Sequence, residues 1–311
     1  MTHLDGDLGA TPYVGRFAPS PSGPLHFGSL VAALGSYLDA HANQGQWLVR
    51  IEDIDTPRVR PGADTDILHT LEAYGLHWHG EVVWQSQRLE RYAQVSEQLR
   101  QQGLVYGCQC SRKEIKALGG IYNGHCRDLG LHGEHLALRL KQQQPVYHYL
   151  DALQGRVDIA AAEAEEDYII KRRDGLFAYQ LVVVIDDIDQ GITQVVRGAD
   201  LLIPTARQIG LFQQLEHKAP EYLHLPLAVA SPGFKLSKQN YAPAIDRQNP
   251  QPALLDALCF LGFTPPPELA TYPVADILNW AQHVYQRPAL RRALEVQVSE
   301  DDEGNTLIQQ L

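Results

Sequence analysis

The sequence has no run of about 18 uninterrupted apolar residues, which excludes an ordinary membrane-spanning helix. Its first twelve residues carry Asp5 and Asp7 and no apolar stretch, so they do not read as a secretory leader. Residues 1–12 are expected to form a flexible tail, and the two absences together predict a cytoplasmic protein. Cysteine is scarce, with four in 311 residues, and three of the four crowd between Cys108 and Cys126. In a reducing compartment such crowding favours a metal over a disulfide. Basic charge is scarce as well: 26 Lys and Arg against 37 Asp and Glu leave a net charge of −11. That balance argues against indiscriminate nucleic-acid binding and still permits local patches that track phosphates. Three such patches stand out: Arg58 with Arg60, the run Lys171-Arg172-Arg173, and the cluster Arg287, Arg291 and Arg292. Each reads equally well as solvated surface charge. Nothing points to an obligate protein partner.

What is present is ordinary for a globular chain, 44% hydrophobic and 20% charged, and long enough to hold more than one core. Residues 13–18 read as a short strand that enters the segment 19–24, Pro-Ser-Pro-Ser-Gly-Pro, where neither helix nor central strand can persist. Residues 27–41 then carry apolar side chains at helical spacing, with Gly45 beyond their end. A strand over 47–51 follows, closed by the acidic run 52–55, and helices are predicted over 64–74 and 87–101. A strand–loop–helix–strand order of this kind is the pattern of a parallel α/β sheet. From 105 to 173 the periodicity is broken by Cys, Gly and His, apart from a short acidic helical piece at 160–166. Beyond it, a strand is expected over 177–185, a turn over 186–191 and a helix near 205–216. A loop over 231–239 and a helical tail with the proline linker 265–267 complete the chain. The expected fold is α/β, a doubly wound parallel sheet interrupted by an insertion. Its divisions fall at 13–104 and 176–230 for the two halves of the sheet, 105–175 for the insertion and 231–311 for a loop and small helical C-terminal region.

Two segments carry chemistry. His26-Phe27-Gly28-Ser29 opens the predicted helix at 27, and a helix N-terminus attracts anions through its free N–H groups and its dipole. Gly28 lets a nucleotide approach the backbone, and His26 has a proton to offer a phosphate or ribose oxygen. Much later, Lys235-Leu236-Ser237-Lys238 lies on a glycine-containing loop, and its two lysines form a cationic clamp suited to the polyphosphate of ATP. The metal candidates are Cys108, Cys110 and Cys126, whose thiolates suit a structural Zn²⁺ with one more protein ligand. Softness alone would name His125 as that ligand; its position next to Cys126, where side chains diverge, leaves Tyr122 open. Cys259 lies in the apolar run 258–261 and is expected in the core.

Taken together and in this order, the two segments resemble the His-x-Gly-His and Lys-Met-Ser-Lys signatures of class I aminoacyl-tRNA synthetases. Arg16-Phe17-Ala18-Pro19-Ser20-Pro21-Ser22-Gly23, Arg50-Ile51-Glu52-Asp53-Ile54-Asp55 and Val196-Arg197-Gly198-Ala199-Asp200 narrow the resemblance to the glutamyl branch, over residues 13–240. It implies a Rossmann-type catalytic domain that joins L-glutamate to ATP, with Mg²⁺ on the phosphates. By the same resemblance His26, Lys235 and Lys238 are catalytic, and His26, Gly28, Ser29 and Lys238 bind ATP. Arg16, Phe17, Ala18, Pro19, Ser20, Glu52, Tyr179 and Arg197 surround the glutamate, with Glu52 receiving the α-ammonium. Tyr122 becomes the fourth zinc ligand. An arginine fork pairs with a carboxylate in a bidentate way, and a buried one rejects the neutral amide of glutamine. Two positions depart from the signatures. Ser29 replaces the final His and keeps only a hydroxyl donor, and Leu236 replaces Met at similar volume.

Only 73 residues follow Lys238. A full glutamyl-tRNA synthetase carries large anticodon-binding domains there, so a catalytic core without its anticodon reader is expected. In this respect the chain is similar to the glutamyl-queuosine tRNA(Asp) synthetase family. Those enzymes activate glutamate without tRNA and pass it to the queuosine at the wobble position of tRNA(Asp). The acceptor there is a cis-diol, as at a tRNA 3′ end. The other readings are a truncated enzyme that charges tRNA(Glu), and a catalytically dead paralogue that senses an amino acid or nucleotide, which Ser29 alone favours.

Overall fold

The computed structural model describes residues 12–117, 119–236, 243–300 and 306–310, with backbone only at 300 and 310. The expected tail, apart from Pro12, lies outside the described residues, as do Ser237 and Lys238.

The first unit is β1 (Val14–Phe17), α1 (Phe27–Ala42) and β2 (Gln46–Ile51), with β1 and β2 parallel. Leu30, Val31, Leu34 and Leu38 are buried along α1, which is why an apolar repeat at helical spacing folds as it does here. At Gly35 a Cβ would lie 2.5 Å from Cδ1 of Leu225, so the missing side chain lets this helix rest directly on the sheet. Next come α2 (Ala63–Ala73), the short strand β3 (Val83–Trp84), parallel to β2, and α3 (Leu89–Gln101).

The irregular stretch is an antiparallel region of its own. It contains β4 (Val105–Cys108), α4 (Arg112–Ala117), β5 (Ala137–Leu140), the hairpin β6 (His148–Asp151) and β7 (Gly155–Asp158), α5 (Ala161–Ala164) and β8 (Tyr168–Lys171). Strands β4, β5 and β8 form one sheet with β5 central.

The expected strand at 177–185 is instead a helix, α6 (Tyr179–Asp189), and it absorbs most of the expected turn. Leu181 to Asp187 are all buried, so no polar face exposes the helical period, and a short apolar run buried all round cannot be told from a strand by pattern. Then follow β9 (Gln194–Gly198), α7 (Leu202–Gln214) and β10 (Glu221–Leu225), with β9 and β10 parallel. The two parallel ladders meet where the Thr193 N–H donates to the Val14 carbonyl at 2.9 Å and the Val14 N–H donates to Thr193 Oγ1 at 2.8 Å. Both faces are covered. Val196 packs into the cluster that holds α1, whereas its neighbour Val195 packs with Ala206 of α7 and Tyr149 of β6.

The C-terminal part contains β11 (Leu227–Ser231), β12 (Phe234–Lys235), α8 (Gln251–Leu261), α9 (Val274–Val284), β13 (Glu295–Glu300) and β14 (Thr306–Gln310). The helices were expected and the strands were not: β13 lies parallel to β11 and closes a sheet of order β12-β11-β13-β14. Cys259 of α8 is only partly buried, at the flank of the core and not inside it.

Candidate active site

A cleft of about 530 Å³ opens beyond the C-terminal ends of β1 and β9, the usual place for a ligand on a parallel sheet. Phe17, Pro19, Ser20, His26, Gly28, Ser29 and Lys235 all line it, so residues more than 200 positions apart come together there. His26 is the residue that caps α1, largely buried at 8% exposure, and the first turn of this helix holds no acid to compete with an anion. Gly28 faces the His26 ring, where a Cβ would stand 3.2 Å from Cε1. Lys235 Nζ donates to Asp200 Oδ2 at 2.5 Å. Gly198 makes this pairing possible, because a Cβ there would lie 2.8 Å from Asp200 Oδ1. Leu236 donates its N–H to the Ala228 carbonyl at 2.8 Å, which anchors the start of the lysine loop.

Below the cleft lies a buried ionic layer. Arg16 donates to Asp187 through Nε (3.1 Å) and Nη2 (3.3 Å). Arg50, fully buried, has Nη2 2.8 Å from the same carboxylate, donates Nη1 to Gln190 at 2.6 Å, and stands 3.6 Å from Glu52. Burial raises the Asp187 carboxyl, but Arg16 and Arg50 outweigh it and hold the group well below the usual carboxylate range. Asp186 is balanced separately by Arg88, at 2.7 Å. Glu52 is the second acid that faces Arg50, held more loosely at 3.6 Å than Asp187 at 2.8 Å. Burial pushes it up to about 7, helped by Asp187 and Asp186 and opposed by Arg50 and Arg16. Its N–H donates to the Pro19 carbonyl at 3.0 Å, which fixes the loop Ala18-Pro19-Ser20 against the end of β2, and Glu52 lies beside Ser20 and Ser22.

Arg197 on β9 is placed differently. It is 6% exposed and makes no ion pair among the described residues. Its donors meet His224 Nε2 (3.1 Å), the Tyr179 hydroxyl (3.2 Å), Thr205 Oγ1 (2.6 Å) and Gln208 Oε1 (2.7 Å), and its guanidinium lies 5.2 Å from the Tyr222 ring centroid. A buried cation surrounded by neutral acceptors is costly unless an anion joins it.

In the insertion, the Sγ atoms of Cys108, Cys110 and Cys126 all lie within 4.8 Å of one another, with Cys110 and Cys126 at 3.5 Å. Tyr122 is buried against them and its hydroxyl oxygen accepts the Cys126 N–H at 2.7 Å, whereas the His125 side chain is exposed. Arg139 donates Nε to Cys108 Sγ at 3.3 Å and stacks 3.6 Å from the Tyr122 ring centroid, which offsets thiolate charge. These donors fit a tetrahedral zinc.

The basic patches divide. Arg287 is held by Asp39 through two donors (2.7 and 2.8 Å), Arg291 by the carbonyls of Cys259 and Phe260, and Arg292 by the Gln154 carbonyl. That cluster is structural. Arg172 pairs with Asp55 and Asp174, and Arg173 donates to the Gln109 carbonyl. Arg58 and Arg60 both line the cleft; Arg58 is 57% exposed and only loosely paired with Asp55, at 3.9 Å. Sequence reading missed Arg50, Asp187, Thr205, Gln208 and His224. The doublet Asp186-Asp187 was the available signal for the acids, hidden by the expectation of a turn.

Residues 13–279 match the family described as "tRNA synthetases class I (E and Q), catalytic domain". Among curated relatives, the glutamyl-Q tRNA(Asp) synthetase of Photobacterium profundum is 57% identical over 92% of this chain and 92% of its own length. That of Vibrio vulnificus (strain CMCP6) is 55% identical over 91% of this chain and 93% of its own, and that of Klebsiella pneumoniae (strain 342) is 61% identical over 80% and 85%. Among solved structures, a glutamate tRNA ligase from Elizabethkingia meningosepticum CCUG26117 superposes with a TM-score of 0.74 at 24% identity, over 90% of this chain and 66% of that one. With the fold, the cleft signature residues and this identity all in agreement, the chain belongs to the class I glutamyl and glutaminyl tRNA synthetase family and, within it, to the group of the glutamyl-Q tRNA(Asp) synthetases.

Proposed function

We propose that the chain activates L-glutamate with ATP, without tRNA, and transfers the glutamyl group to the queuosine base at the wobble position of tRNA(Asp). The observation that carries the reading is a pair of complementary groups under the cleft. A buried cation, Arg197, makes no ion pair among the described residues, and a buried acid, Glu52, stands 3.6 Å from Arg50, beyond hydrogen-bond distance, and is pushed up to about 7 by burial. An amino acid with a side-chain carboxylate and an α-ammonium satisfies both. Arg16 and Tyr179 flank that space, and Ala18, Pro19 and Ser20 supply its backbone wall.

The chemistry is positioning and electrostatics. An α-carboxylate oxygen of glutamate forms a bond to the α-phosphorus of ATP, and the bond to the β-phosphate breaks, so pyrophosphate leaves with the electron pair. His26, Gly28 and Ser29 at the head of α1 receive the phosphates, and Lys235 and Lys238 stabilise the charge that grows on them. Asp200 holds Lys235 at the rim until ATP competes for it. Magnesium, if it entered with ATP, would supply positive charge to the leaving pyrophosphate. A hydroxyl of the cyclopentenediol ring then bonds to the glutamyl carbonyl carbon and AMP departs. Zinc, when bound by Cys108, Cys110, Cys126 and Tyr122, organises the insertion and supplies no reaction step. The anticodon loop enters where other synthetases place the acceptor stem, along Arg58 and Arg60.

The test offers the protein ATP and labelled glutamate with three acceptors: tRNA(Asp) containing queuosine, tRNA(Asp) lacking it, and tRNA(Glu). Label on the first alone is the expected result. Label on tRNA(Glu) would overturn the acceptor assignment, and no glutamate-dependent ATP–pyrophosphate exchange would overturn the activity.

A further inference from the structure

Behind Arg197 stands a second layer of side chains that does not reach the cleft. Asp151, the last residue of β6 in the insertion, is 2% exposed, and His224 of β10 is fully buried. His224 Nδ1 and Asp151 Oδ2 are 2.6 Å apart, and Asp151 Oδ1 also accepts the N–H groups of Leu153, Gln154 and His224. Burial works against ionisation of Asp151, but these donors outweigh it and hold the carboxyl below its usual range. An ionised carboxylate only accepts, so the proton between the two side chains belongs to His224 Nδ1.

The other ring nitrogen is then fixed. Burial lowers the His224 pKa, with Arg197 in the same direction and Asp151 against, so the ring is neutral and Nε2 carries a lone pair. That lone pair points at Arg197 Nε, 3.1 Å away. The alternative tautomer would bring two N–H groups face to face. Thr205 completes the cradle: its hydroxyl faces two acceptors, the Leu201 carbonyl at 2.6 Å and His224 Nε2 at 3.1 Å, and its oxygen accepts from Arg197 Nη2.

We propose that Asp151 and His224 are positioning residues for the amino-acid site: together they impose the Nδ1–H tautomer of His224, whose Nε2 accepts from Arg197 Nε and aims the guanidinium fork at the substrate side-chain carboxylate. The proposal rests on the reading of Arg197 as the carboxylate receptor. It adds that the insertion takes part in choosing the amino acid, because Asp151 belongs to the β6–β7 hairpin, whose Ala152 N–H is itself bonded to the Tyr222 carbonyl at 2.8 Å. It also makes selectivity for glutamate over glutamine depend on a residue that touches neither.

The experiment compares His224→Asn, which retains a group at the Nδ1 position only, with His224→Gln, whose amide oxygen reaches the Nε2 position. Loss of one hydrogen bond to a charged group is expected to raise KM for glutamate about tenfold or more in His224→Asn, with kcat and KM for ATP little changed. His224→Gln restores KM to within about threefold of the parent and restores discrimination against glutamine. Nitrogen-15 NMR of histidine-labelled protein gives a readout independent of activity: the protonated nitrogen of His224 is Nδ1 in the parent and shifts to Nε2 in Asp151→Asn. Equal KM values in the two His224 variants, or a parent ring protonated at Nε2, would overturn the proposal. Arg197→Ala separates the two layers. If it leaves KM for glutamate unchanged, the carboxylate assignment itself fails; if it raises KM while His224→Asn does not, only the positioning role fails.

Discussion

Arg16 and Asp187 sit 171 positions apart in sequence and meet through two hydrogen bonds, at 3.1 and 3.3 Å, with both side chains buried. The pair joins the first strand of the parallel sheet to α6, the helix that follows the insertion. Asp187 also serves Arg50, so one carboxylate is shared by two buried cations, with Glu52 3.6 Å from the second.

Removing that carboxylate while keeping its shape therefore uncovers charge. Asp187→Asn is expected to lower the unfolding free energy by about 3–5 kcal/mol, the usual loss when one member of a buried pair is deleted. Denaturant titration checks this. The folded pKa of Asp187 is depressed, so its contribution is present above the unfolded value and is lost as pH falls through the folded one. The acid limb of the stability curve should accordingly be shallower in the variant. An unchanged midpoint and an unchanged acid limb would remove Asp187 from the account of the core.

Glu52 behaves in the opposite sense. Its pKa is raised from 4.5 to about 7, so the folded state holds the proton more tightly than the unfolded chain, and the stabilisation present below 4.5 is lost as pH rises to 7. Glu52→Gln is expected to raise stability at pH 8 by roughly 1–3 kcal/mol and to have little effect near pH 4.5. Ammonium recognition needs the ionised form. KM for glutamate in pyrophosphate exchange should thus be about tenfold higher at pH 6 than at pH 8, following the ionised fraction, while KM for ATP stays flat. A KM for glutamate that ignores pH across this range argues against the role.

Lys235→Ala tests the phosphate rim. The exchange rate should fall about 10²- to 10³-fold, the scale seen when one donor to a developing charge is removed. Glutamate binding by calorimetry should be unaffected, because the lysine pairs with Asp200 and, among the described residues, touches neither Arg197 nor Glu52 in any ion pair. Near-full exchange would remove the residue from catalysis.

The zinc ligands can be sorted without any activity assay. Metal analysis of purified protein should find one zinc per chain, reduced in Cys110→Ser and Tyr122→Phe and unchanged in His125→Ala. Retention in Tyr122→Phe together with loss in His125→Ala would reverse the choice of fourth ligand.

Much of the cleft was legible because its residues lie on contiguous stretches with physical meaning: a broken strand-to-helix loop at 19–24, a glycine at a helix start, two lysines on a loop. His26 was found in this way, whereas Arg16, Glu52 and Arg197 came only from the family resemblance; His26 lines the cleft and the other three are buried side chains outside its lining. The partners that hold them were not legible. His224 and Asp151 are 73 positions apart, and no local period links a histidine on one strand to an aspartate on a hairpin of the insertion. Helix α6 was misread because Leu181–Asp187 has no solvent face. The terminal hairpin was missed for a different reason. Val296 and Val298 alternate as a strand should, but a helical setting on the N-terminal side outweighed six residues of alternation.

That hairpin has a consequence for how the enzyme is made. Strand β11 feeds directly into the segment that carries Lys235, and its neighbour on the other side is β13, with Leu227 opposite Glu295 and Val229 opposite Gln297. Hydrogen bonds to β13 are among those that hold β11 flat beneath the phosphate rim. During synthesis the ribosome completes both signatures well before it reaches β13, so the nascent chain possesses its reactive groups while the strand beneath one of them is still unsupported. A chain that stops before Glu295 should therefore keep both signatures and lose the strand that flanks β11.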